Sequence, residues 1–110
     1  MFVRILRFYV PATRRAEWIA AEARYHPPHG APGLILAQTW RSLKDDDDDD
    51  DEEEVVALFR LWESKKDMDR WLASEAHQER SHKFKATWTE VGAKKLDSLD
   101  YEVEPWAFLS

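Results

Sequence analysis

The chain begins with a β-branched and aromatic run, residues 2–10, closed by Pro11. This is the pattern of a strand ended by a residue that cannot donate to a ladder. Ala16, Ile19, Ala20 and Ala23 then recur at i, i+3, i+4 and i+7, which predicts a helix with those four as its buried stripe. Thr13 stands where an N-cap belongs, and Arg14, Arg15, Glu22 and Arg24 occupy the flanks. Three prolines and two glycines in residues 26–33 allow neither helix nor ladder, so this stretch is a loop. A second strand is expected over residues 34–43, with Ile35, Ala37 and Thr39 on one face and Leu34, Leu36, Gln38 and Trp40 on the other.

A third strand follows over residues 55–62, where Leu58, Arg60 and Trp62 share a face. Ser64-Lys65-Lys66-Asp67 has the form of a capping box, so a helix opens at about residue 65 with Met68, Trp71 and Leu72 on its apolar side. Ser74 can cap a fresh segment, which predicts a break near Ala73 and Ser74. His77, Ser81, Phe84, Trp88 and Val91 carry the helical period onward until Gly92 and the Lys94-Lys95 pair end it. A last strand over residues 99–108 alternates Leu99, Tyr101 and Val103 with Asp100, Glu102 and Glu104, leaving one wet face.

The resulting order, β-α-β-β-α-β, is the split arrangement of a ferredoxin-like α+β domain: an antiparallel sheet with its helices on one face. The bare face needs a cover, and a second copy of the chain would supply one, so a homodimer closing an α+β barrel is expected.

Composition adds limits. The length of 110 residues suits one domain spanning the whole chain. Ten of the 22 acids form one block at residues 45–54, leaving 12 against 16 bases, so the net charge of -6 divides into about +4 for the body and -10 for the block. Residues 44–54 therefore read as an acidic, flexible hairpin insert. Read as an EF-hand, the block would need Gly and Glu where Asp50 and Val56 stand, so a calcium loop is excluded. The absence of cysteine removes disulfides, thiolate metal sites and cysteine nucleophiles. No run approaches the ~18 apolar residues of a membrane span. A modest body charge without a basic helix argues against nucleic acid. A soluble cytoplasmic protein is the expectation.

Histidines offer little to a metal. His77 and His82 stand five apart, about 140° around a helix, and His26 and His29 lie in the proline-rich loop with no carboxylate beside them in sequence. No metal site is expected.

Pro32-Gly33 ahead of strand two, Leu61-Trp62-Glu63-Ser64 at the end of strand three, and Met68, Trp71-Leu72 and Ser74-Glu75-Ala76-His77 in the helical region are similar to motifs of one family. They resemble the antibiotic-biosynthesis-monooxygenase-type domains, which form dimeric α+β barrels. Members commonly show a Pro-Gly before strand two, a Trp-Glu-Ser-like step into helix two and a Ser-x-x-His within it.

The resemblance implies a cleft between sheet and helices and one of two chemistries. Cofactor-independent members oxidise electron-rich aromatic polyketides such as anthrones with dioxygen directly. Haem-degrading members use a strand-one Asn, a helix-two Trp and a helical His that ligates iron. Trp71, nine residues after Trp62, matches the helical Trp; the Asn position falls at about Leu6, and the ligand position at Arg80 or Ser81, with His82 a step beyond.

Cofactor-free oxygenation of a small aromatic, polyketide-like substrate is therefore the leading expectation. A ligand-binding dimer without turnover and a haem-binding or haem-degrading protein are the alternatives, and no cofactor is expected outside the haem reading. Such oxygenation needs a pocket for a flat ring, a base and donors for an oxyanion. His77 is the candidate base, set against local packing or capping. Arg60, Trp62, Trp71, Phe84 and Trp88 are the candidate substrate-binding residues, with Trp40 as a further wall and Tyr9 and Tyr25 as polar members. Aromatics at these spacings serve a core equally well. For Arg60, a pocket or dimer contact explains a strand-centre position better than plain packing does, since a buried charge without a partner is costly; a surface position is the alternative.

Overall fold

The computed structural model describes residues 1–25, 31–42 and 53–104. In chain order these form β1 (Phe2–Pro11), a 3-10 turn (Ala12–Arg14), α1 (Arg15–Tyr25), β2 (Leu34–Arg41), β3 (Glu53–Trp62), α2 (Lys65–Ala73), α3 (Glu75–Glu90) and β4 (Lys94–Glu102). The strands make one antiparallel sheet in the order β2-β3-β1-β4, with the helices on one face. This is the ferredoxin-like α+β arrangement that the patterning predicts. Among the described residues no helix is long and apolar enough to cross a membrane.

Local chemistry sets the joints. Ser64 caps α2: its Oγ accepts from the Asp67 amide at 3.2 Å and donates to the Asp67 carboxylate at 2.8 Å. Ser74 ends α2 in an extended conformation and caps α3 by accepting from the His77 amide, so the break falls where the serine stands. Helix α3 closes in a Schellman motif, with Gly92 at φ 82°, its amide on the Thr89 carbonyl and the Ala93 amide on the Trp88 carbonyl. Gly33, also at φ 82°, is pressed against α2 so closely that a Cβ there would stand 2.3 Å from that of Asp67. Its carbonyl accepts from the Glu63 amide at 2.7 Å. Pro32-Gly33 and the Trp-Glu-Ser step are thus two halves of one structural joint.

Several expectations need correction. The stripe Ala16, Ile19, Ala20 and Ala23 is exposed, and α1 buries Trp18, Ala21 and Glu22 instead. One indole outweighs several alanines in apolar area, so Trp18 turns the helix. Glu22, expected on a flank, is carried inward with it. Thr13 lies inside the 3-10 turn rather than capping the helix. Leu34 joins the helix side, packed near Phe2, Trp62 and Met68, because the β2–β3 register shifts between Leu34 and Leu36. Strand β3 starts at Glu53 and so takes in the last two residues of the acidic block, and Glu54 pairs with Arg15 at 2.9 Å. Strand β4 starts at Lys94, so the Lys94-Lys95 pair opens a strand instead of closing a helix. The loop with His26 and His29, the rest of the acidic hairpin and the expected strand end at residues 105–108 lie outside the described residues.

On the helix side, Phe8, Val10, Trp18, Val56, Leu58, Val91 and Ala93 form the larger core, and Phe2, Trp62 and Met68 a smaller one. Leu36, Gln38, Trp40, Ile5, Phe59 and Tyr9 occupy the sheet's other face, as strand register requires. Trp40 there is 43% exposed and stacks on Phe59 at 4.5 Å.

Candidate functional site

Strand alternation selects the first wall of a cavity. Arg4, Leu6 and Phe8 from β1 sit opposite Arg60, Leu58 and Val56 of β3 in register, all on the helix side. Above them, α2 contributes Met68, Trp71 and Leu72, and α3 contributes His77, Ser81, Phe84, Lys85 and Trp88, the spacing of one helix face. Between sheet and helices lies a cavity of about 360 Å³, toward the lower end of the ~300–1,000 Å³ usual for small-molecule sites.

Its floor is a buried ion pair. Arg60 and Glu22 are 8% and 6% exposed. The Arg60 Nη2 donates to Glu22 Oε1 at 2.7 Å, and its Nη1 donates to the Phe59 and Gln38 carbonyls at 2.9 and 3.2 Å. Thr39 donates to the second Glu22 oxygen at 3.0 Å. Desolvation pushes the Arg60 pKa down, opposed by the charge and hydrogen bond of Glu22. A paired, hydrogen-bonded charge is tolerable inside a protein; either member alone would be costly. Beside the floor, Arg4 donates to both oxygens of Asp100, at 2.8 and 2.9 Å.

His77 lies in the first turn of α3, its ring edge-on to Trp71 at 5.7 Å. Partial burial lowers its pKa from the ordinary 6.5. Its place near a helix N-terminus also disfavours the cationic ring. The imidazole is therefore neutral at pH 7, the form that accepts a proton.

The structure places His77, Arg60, Trp62, Trp71, Phe84 and Trp88 around this one cavity, with Tyr25. Trp40 and Tyr9 do not reach it, because their register puts them on the opposite sheet face. His82 is exposed and does not line it, whereas Ser81 does. Of the positions that the haem-degrading members use, the structure puts Leu6 where the Asn would stand and brings Ser81 and His77, rather than His82, to the cavity. Arg4, Glu22, Lys85 and Lys95 also line the cavity and escape the sequence reading as site residues. Arg4 was findable from its alternation with Phe2, Leu6 and Phe8. Glu22 had a weaker signal, four residues after Trp18 and so on the same helix face.

Residues 1–83 match the family model described as antibiotic biosynthesis monooxygenase. No curated protein matches the chain. Among solved structures, the chain is similar to SnoaB, a cofactor-independent oxygenase from Streptomyces nogalater, at 15% identity with 94% of this chain and 93% of that one covered and a TM-score of 0.59. It is also similar to a conserved protein from Methanosarcina mazei, at 12% identity, 94% coverage of each chain and a TM-score of 0.66. At these identities the likeness speaks to fold alone.

Proposed function

Because the chain belongs to the antibiotic biosynthesis monooxygenase family, we propose that its cavity binds a small flat aromatic and that the protein oxygenates it without a cofactor. The observation that carries this reading is the convergence of a histidine, a buried arginine and six aromatic side chains on one small cavity. His77 takes a proton from an activated ring methylene. The resulting carbanion passes electrons to dioxygen and is captured as a hydroperoxide, and loss of water leaves a carbonyl, so CH2 and O2 become C=O and H2O. Trp62, Trp71, Phe84 and Trp88 hold the ring, and Arg60, fixed by Glu22, shapes the polar floor. Preorganisation of this kind lowers the cost of charge that develops during reaction. SnoaB, a cofactor-independent oxygenase, has a similar fold, so a fold of this kind can house such chemistry.

A homodimer through the bare sheet face belongs to this proposal. Tyr9, Leu36, Trp40 and Tyr101 are exposed large side chains, and their register places all four on that face. An apolar face of this kind needs a cover.

Oxygen uptake with anthrone tests the reading. Wild-type protein should consume oxygen above buffer, and His77→Gln should abolish most of the excess. The acid limb of kcat/KM should lie below the ordinary imidazole value of 6.5, the direction in which burial moves His77. Absence of uptake, with Trp71→Phe altering only ligand affinity, would leave a binding protein without turnover.

A further inference from the structure

A second recess, of about 340 Å³, lies on the outer side of the helices, where the end of α1 meets α3. Arg24 and Tyr25 enter it from α1, and Ala76, Glu79, Arg80 and Lys83 from α3, the last four at the spacing of one helix face. Tyr25 also borders the inner cavity, so its side chain stands between the two spaces. The recess holds three cationic side chains against one carboxylate. Glu79 accepts from Lys83 Nζ at 3.0 Å. Arg24 makes no ion pair or side-chain hydrogen bond among the described residues. Arg80 is already engaged, but a guanidinium carries five donors and can serve a second acceptor.

The geometry points to a phosphoryl-binding site in this groove, outside the inner cavity and independent of what that cavity does: the phosphate of a small phosphorylated molecule, held by Arg24, Arg80 and Lys83. An excess of two cations matches a dianion, and three phosphoryl oxygens give two guanidinium forks and an ammonium an acceptor each. Backbone dipoles do not decide the matter. The carbonyl end of α1 disfavours an anion while the amide end of α3, at Ala76, favours one, so the side chains set the sign. Few cations in a recess between two helices suit one compact dianion rather than an extended polyanion.

Amide NMR titration with glycerol 3-phosphate at pH 7.5 and low ionic strength tests the inference, with the dicarboxylate malonate as a comparison of equal charge. The shifts should centre on Arg24, Ala76 and Arg80, and the phosphate should bind more tightly than malonate. Arg24→Gln combined with Lys83→Gln should weaken phosphate binding at least tenfold. Glu79→Gln, which removes the one carboxylate and releases Lys83, should tighten it severalfold. Lys85→Gln with Lys95→Gln removes the same charge from the inner cavity and should change the affinity less than twofold. Circular dichroism checks that each variant is folded. Shifts centred on Lys85 and Lys95, equal affinity in wild type and the Arg24/Lys83 double variant, no gain in Glu79→Gln, or malonate binding as tightly as the phosphate overturns the inference. Vesicles of phosphatidate should leave the protein in the supernatant; co-sedimentation that the Arg24/Lys83 double variant loses would assign the groove to a lipid headgroup and overturn the small-molecule assignment.

Discussion

The interior between sheet and helices has two ends built from the same four elements. At one end Val10, Trp18, Val56 and Val91 close into a dry core, with Phe8 between it and the cavity, meeting Trp18 at 5.5 Å and Trp88 at 5.7 Å in tilted and edge-on contacts. At the other, the same strands and helices present Arg4, Arg60, Glu22 and His77 around open space. Aromatic content does not separate the two ends, since Trp62 and Trp71 stand at the open one. The difference is one of charge. Going from Leu58 to Arg60 along β3, or from Trp18 to Glu22 along α1, crosses from one regime to the other within a single strand repeat or helical turn. A guanidinium and a carboxylate facing each other cannot be packed over like methyl groups, because their hydrogen bonds fix their separation and orientation.

The largest test of this contrast is truncation on each side. Trp18 is 0% exposed, so Trp18→Ala should lower unfolding free energy by about 3–5 kcal/mol in urea titrations. Trp71→Ala, at a partly buried wall that already borders open space, should cost roughly half of that or less. Equal costs would mean that the two ends are equally packed.

The ion pair gives a sharper test. Arg60→Leu alone should cost about 3–5 kcal/mol, because it strands Glu22 in the interior. Adding Glu22→Leu should restore most of that stability while removing the polar floor. If the double variant is no more stable than the single, the pair is contributing more than charge compensation. The smallest effect belongs to Arg4 and Asp100, partly exposed at 26% and 39% of their side chains. Asp100→Asn should cost at most about 1 kcal/mol at neutral pH. The hydrogen bond from Arg4 holds the Asp100 carboxyl below its ordinary 3.8. The contribution is therefore complete above that value and fades as pH falls through the lowered one, so the difference between wild type and variant should narrow there.

Much of the fold was legible because its signals are local. Pro11, the Ser64 and Ser74 caps and the turn at Gly92 each act within a few residues of themselves, and the strand and helix order around them followed. The α1 stripe was misread because counting positions gave alanines the weight of Trp18. Site residues were legible where a period was clean: Leu58, Arg60 and Trp62 on β3, and His77, Ser81, Phe84 and Trp88 on α3. Trp40 failed despite an equally suggestive side chain, because alternation identifies two faces without saying which one the helices cover.

The sequence by itself determined the elements, their order and the sharing of faces, since these depend on backbone conformation and on periods of 2 and 3.6 residues. Only the tertiary structure decided that Arg60 has a partner. Glu22 lies 38 residues away along the chain, and nothing local couples them. The same holds for the cavity: a set of side chains becomes a pocket only when sheet register and helix rotation leave space among them. For the acidic run, patterning gave a charged insert, and the fold drew its last two residues into β3, where Arg15 meets Glu54.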